Sequence, residues 1–111
     1  MGPEGLITME DFKKVKLLVG EVVGVADHPK ADKLILLKVN VGSKTKQLVA
    51  GLKGHYSGEQ LVGKRVVVLD NLQPAVLRGE KSEGMVLAAI DGARVVLLTV
   101  DGQAAAGSPI A

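Results

Sequence analysis

From Val15 to Ala26 the chain reads VKLLVGEVVGVA, a run that is β-branched and apolar on both parities, with Gly20 and Gly24 set inside it. A strand with one wet face would alternate, and a surface helix would follow a helical period; this run does neither. Glycines inside a long strand mark bulges or sharp bends, which is how one strand serves both sides of a small barrel.

The segments around it fit that role. Thr8-Met9-Glu10-Asp11 is a capping-box-like start with Asp where Glu or Gln is usual, so a short helix is expected over residues 9–14. DHPKADK (27–33) is a tight polar loop held by Pro29, followed by a second strand over 34–41, a turn at Gly42-Ser43-Lys44 and a third strand over 45–50. A single helical turn is expected near 57–61 and a fourth strand over 64–70. A long polar connection then runs from Asp70 to Gly84, a fifth strand over 85–90, and an Asp91-Gly92 turn into an apolar segment over 93–100. The tail GQAAAGSPIA is a small-residue run that closes against something. These elements predict an all-β, five-stranded OB-type barrel with a short helix between strands 3 and 4. At 111 residues one domain is expected, with a core over about 14–91 and extensions at 1–13 and 92–111.

Composition narrows the chemistry. Aromatic residues make up 2% of the chain, only Phe12 and Tyr56, so the core is built from aliphatic side chains. No cysteine is present, which removes disulfides, thiolate nucleophiles and sulfur-ligated zinc. The N-terminal sequence lacks a signal-peptide pattern and no apolar stretch approaches membrane-spanning length, so a cytoplasmic protein without a membrane partner is expected. GEQLVGK (58–64) imitates the start of a phosphate-cradling loop, but Arg65 stands where Ser or Thr would ligate magnesium, and a strand follows where a helix should. His28 and His55 fall in separate loops and are expected to be exposed. No serine, histidine or carboxylate constellation supports catalysis, so the expectation is no enzyme, no cofactor and no metal.

Charge is more informative by position than in total, since the net formal charge is only +2. Between His28 and Arg65, Lys30, Lys33, Lys38, Lys44, Lys46, Lys53, Lys64 and Arg65 are opposed only by Asp32 and Glu59. A basic stripe across adjacent strands is a polyanion footprint, or else the ordinary wet face of a sheet. Lys30 and Lys33 stand at the mouth of the first loop, where they either bind or merely solvate a turn capped by Asp32. In the long connection Asn71, Arg78, Lys81 and Ser82 are donors suited to phosphate, sugar hydroxyls or base edges. Met85 is a core residue on general grounds. With almost no rings on which to stack bases, a nucleic-acid partner would be recognised by backbone shape and a few edges, as with folded RNA.

DFKKVKLLVGEVVGV, HPKADKLILLKVNVG and QLVAGLKGHYSGEQLVGKRVVVLDNLQPAVLRGEKSEGMVLAA together resemble the OB-fold tRNA-binding domain. That domain occurs at the C-terminus of many methionyl-tRNA synthetases, in tyrosyl-tRNA synthetase and synthetase-associated appendages, and as free-standing structure-specific tRNA-binding homodimers. HP-x-ADKL, VAG, NL-x-P and RG-x-x-S-x-GM occur in order, and the likeness spans about residues 7–100. It implies a non-catalytic homodimer gripping the outer corner of the tRNA L, free-standing or appended to an aminoacyl-tRNA synthetase. By motif position it implies binding roles for Lys33, Asn71, Arg78, Ser82 and Met85, moving Met85 from core to rim. Many relatives carry Arg or Lys just after the NL-x-P proline; Ala75 and Val76 stand here, which implies a missing basic contact.

Leu6-Ile7 and Val95 to Leu98 lie outside the five-strand pattern. Such surplus apolar segments either meet a second copy or cover a barrel end within one chain. The resemblance also leaves two other roles in view: a dimeric export-type chaperone of the same fold, which binds unfolded polypeptide, and a purely structural dimerisation domain.

Overall fold

The computed structural model describes residues 4–111, so the first three residues of the expected N-terminal extension lie outside the described residues. The chain enters through α1 (Met9–Lys13). The Thr8 hydroxyl accepts from the Asp11 amide, and the Asp11 carboxylate accepts from the Thr8 amide. The predicted capping box is present, with Asp in the reciprocal position.

β1 (Leu17–Asp27) has two partners. Leu17 to Glu21 pair with β4 (Arg65–Leu69), and Glu21 to Asp27 pair with β2 (Ile35–Asn40), both antiparallel. The register shifts between Val22 and Gly24, a bulge at the second of the two glycines. Gly20 answers a different need. A Cβ there would stand 2.5 Å from Val39 Cγ1 and 2.9 Å from Val68 Cγ2. Both valines are fully buried and stiff at χ1, so neither can swing aside. Gly20→Ala is therefore expected to destabilise the fold by about 1–3 kcal/mol through overpacking, seen as a lower urea midpoint.

β2 returns as β3 (Thr45–Ala50), and the main sheet runs β3-β2-β1-β4-β7, where β7 is Met85–Val86. The seam between β3 and β7 is drawn together by residues 82–83. The Glu83 amide donates to the Gln47 carbonyl at 2.8 Å, and the Ser82 hydroxyl accepts from the Val49 amide at 3.0 Å. The result is a nearly closed five-stranded antiparallel barrel of the OB type. Its core is aliphatic, as the composition requires: Val22, Leu37, Val39, Leu48, Val66 and Val68, with Leu61 of α2 (Gly58–Leu61) inserted among them. Each such buried side chain contributes about 1.5–3 kcal/mol relative to exposure.

Three features differ from the sequence reading. The connection after β4 contains a hairpin, β5 (Ala75–Leu77) and β6 (Glu80–Ser82), turning at Arg78-Gly79 with φ of 52° and 91°. Two consecutive positive φ values are the mark of the type I′ turn that matches strand twist, but Arg in the first position hides it from a sequence search. The expected fifth strand over 85–90 is divided at Leu87. Its amide donates to Val67 of β4, while its carbonyl accepts from Leu98, so the chain changes partner there and β8 (Ala88–Asp91) pairs with β9 (Arg94–Leu97). The tail forms β10 (Pro109–Ile110) beside Leu17 and Leu18, along the edge of β1 that β2 leaves open. The Val19 amide donates to the Ser108 carbonyl and the Gly107 amide to the Val19 carbonyl, extending that seam.

Candidate nucleic-acid interface

The hairpin β5–β6, with its flanks from Asp70 to Gly84, forms an arm fixed to the barrel at its root. Lys46 on β3 reaches Asp70 at the end of β4, its ammonium 2.7 Å from Oδ1 and donating to the Asp70 carbonyl at 3.0 Å. Asn71 clamps the entrance to β1: its Oδ1 accepts from the Lys16 amide and its Nδ2 donates to the Lys14 carbonyl. Along the arm, Gln47 Nε2 donates to the Lys81 carbonyl at 2.9 Å and to Glu80 Oε1 at 3.3 Å, while its Oε1 accepts from Lys38 Nζ. Ser82 is buried; its hydroxyl also donates to the Gly84 carbonyl. This many side-chain bonds to one connection explain how so long a polar segment is ordered.

At its tip the arm meets the loop between β1 and β2. His28, expected to be exposed, is buried, and the reason is its hydrogen bonding. Its Nδ1 accepts from the Lys30 amide at 2.9 Å, so Nε2 carries the proton and donates to the Leu77 carbonyl at 2.9 Å. Arg78 Nη2 donates to the Lys30 carbonyl at 3.3 Å beside it. Two segments almost fifty residues apart in sequence are thereby joined, and Lys30 and Arg78 come to the same edge.

The predicted site residues thus fall into three groups. Lys30, Lys33 and Arg78 are exposed and, among the described residues, form no salt bridge. Asn71 and Ser82 have their polar atoms engaged within the chain, Asn71 at the surface and Ser82 inside. Met85 stands at the rim, 42% exposed, beside Val49, Leu52 and Val95. The basic stripe is thinner than its sequence suggests. Lys46 is buried against Asp70, Lys53 faces Asp27 at 3.3 Å, and Arg65 is held by Glu21 at 3.2 Å and by the Ala104 carbonyl. The sequence reading missed His28, Lys46 and Gln47 as the residues that frame the site; the motif HP-x-ADKL contained the first of them.

Tyr56, one of the two aromatic residues, and its neighbour His55 have other work. The Tyr56 hydroxyl accepts from the Leu97 amide at 3.0 Å, and His55 Nδ1 accepts from the Val95 amide at 3.4 Å. Both thereby satisfy the free edge of β9, whose Val95 and Leu97 pack on the barrel core. GEQLVGK supplies α2 and the approach to β4. Among the described residues no cluster of three or more His, Cys, Asp or Glu could hold a metal ion, and no helix is long and apolar enough to cross a membrane.

This arrangement, a barrel with an ordered arm locked to the first loop, has relatives. Residues 17–109 match the family described as "Putative tRNA binding domain". The chain belongs to this tRNA-binding domain family. It is 50% identical over 106 residues to the methionine–tRNA ligase of Nanoarchaeum equitans, a match covering 96% of this chain and 14% of that enzyme. The chain therefore spans about a seventh of the length of that relative, and corresponds to the C-terminal domain of methionyl-tRNA synthetases. Among solved structures, a MetRS-related protein from Pyrococcus horikoshii superposes with a TM-score of 0.88 at 28% identity, covering 95% of this chain and 97% of that one. The chaperone CsaA from Picrophilus torridus superposes with a TM-score of 0.89 at 34% identity, covering 96% and 100%.

Proposed function

We propose that this single-domain chain is a non-catalytic module that grips the outer corner of folded tRNA, in the cytoplasm, as a homodimer that is free-standing or attached to an aminoacyl-tRNA synthetase. The observation that carries this reading is the joint between the two loops, which brings Arg78 against the backbone of Lys30, in the loop that also carries Lys33, within a family of tRNA-binding domains. These cations would neutralise phosphates, Asn71 and Ser82 would hold the arm that presents Arg78, and Met85 would add an apolar rim contact. Commitment of Tyr56 to β9 agrees with recognition by shape in place of base stacking. Leu6, Ile7 and Ile90, each more than half exposed, are the apolar groups we assign to contact with a second copy.

The test is a gel-shift titration against whole tRNA, isolated stem-loops and duplex DNA over a range of salt. Tighter binding to whole tRNA, with affinity falling steeply as salt rises, is the expected result. Equal binding to all three, or none to tRNA at moderate salt, would overturn the proposal. The second reading, a chaperone, is favoured by the likeness to CsaA and by the exposure of Val76 and Leu77 on the arm. Suppression of aggregation of an unfolded substrate, without salt-sensitive tRNA binding, is the outcome that selects it.

A further inference from the structure

The geometry points to His28 as a positioning residue that makes two loops act as one binding edge. The inference rests on the tRNA-binding reading but concerns a residue that itself offers nothing to a ligand: it is 5% exposed and both ring nitrogens are engaged. Its two bonds have different jobs. The bond from the Lys30 amide to Nδ1 closes a turn within the first loop, as the side-chain oxygen of an Asx turn would. The bond from Nε2 to the Leu77 carbonyl crosses to the arm. Besides it, the direct polar tie between the two segments is Arg78 Nη2 to the Lys30 carbonyl, longer at 3.3 Å and made by a guanidinium that a phosphate would recruit.

When Arg78 turns to a phosphate, the imidazole remains as the tie that keeps the arm tip beside the lysines. Only the neutral ring, with its proton on Nε2, satisfies both partners. The arm's root is held independently by Lys46 and its β6 strand by Gln47, so loss of His28 loosens the β5 side of the tip while the barrel stays folded.

Asparagine and glutamine separate the two jobs. His28→Asn keeps an acceptor for the Lys30 amide but is too short to reach Leu77, whereas His28→Gln carries a donor at the distance of Nε2. We expect His28→Asn to bind tRNA about tenfold more weakly at fixed salt, with a salt slope lowered by up to about one as Arg78 loses its register on a phosphate, and His28→Gln to recover most of both losses. In the His28→Asn background, Arg78→Ala should cost much less than in the parent protein, since the arginine is no longer held in register. Hydrogen exchange of the Leu77 to Lys81 amides, measured without RNA, should be faster in His28→Asn and restored in His28→Gln. Parent-like affinity and exchange in His28→Asn would overturn the proposal. If the parent protein binds no tRNA, the function proposed above fails, and the exchange measurement still decides whether His28 is the joint: unchanged exchange refutes it and faster exchange supports it.

Discussion

Joint substitution of Lys33→Glu and Arg78→Glu is expected to reduce tRNA affinity by about a hundredfold or more and to lower the salt slope by about two, one for each phosphate contact removed. Melting temperature should be unchanged within about a degree or two, because surface charges outside any network contribute little. Neither side chain belongs to a salt bridge among the described residues, and the bond of Arg78 to the Lys30 carbonyl is a marginal 3.3 Å. Fluorescence anisotropy with labelled tRNA across a salt series measures both quantities. A double variant with parental affinity and slope would move the grip away from these loops, whereas lost affinity with lost melting temperature would show that the charges hold the fold.

Asp70→Ala is expected to produce the largest loss of stability, about 3–5 kcal/mol, because it leaves a buried ammonium without its counter-charge. The Lys46 side chain is 10% exposed and that of Asp70 24%, and at 2.7 Å the two form the closest ion pair among the described residues. Desolvation makes such a pair a poor source of net stability, yet breaking one side of it is costly. The paired replacement Lys46→Met with Asp70→Leu should therefore recover much of what Asp70→Ala loses. Urea denaturation of the parent protein and the two variants decides this. A small effect of Asp70→Ala alone would mean that water reaches Lys46 when the arm root loosens.

What could be read in the sequence was what depends on neighbours. Thr8 and Asp11 form a capping box whose partners lie three residues apart, and the helical turn expected near 57–61 is present at Gly58–Leu61. The bulge beside Gly24 was legible because an apolar run on both parities allows few alternatives. The residues that hold the site together were not. Lys46 belongs to the basic stripe by composition, and only contact with a residue twenty-four positions on turns it inward. His28 looked like a loop histidine because its acceptor lies forty-nine residues away. The strand expected to run unbroken from Met85 divides at Leu87, which bonds to β4 through its amide and to Leu98, just past β9, through its carbonyl. A backbone can change hydrogen-bonding partner without any change in the hydrophobic pattern of its side chains, so the break leaves no trace in the sequence.

The staple between Tyr56 and β9 has a practical consequence. The chain holds one tyrosine and no tryptophan, so its ultraviolet emission comes almost entirely from a single phenol. That phenol sits where the β8–β9 hairpin docks, with the Lys64 ammonium 5.8 Å from the ring centroid and its hydroxyl accepting from Leu97. The protein therefore carries a built-in optical reporter of one seam. Release of the hairpin would change its signal.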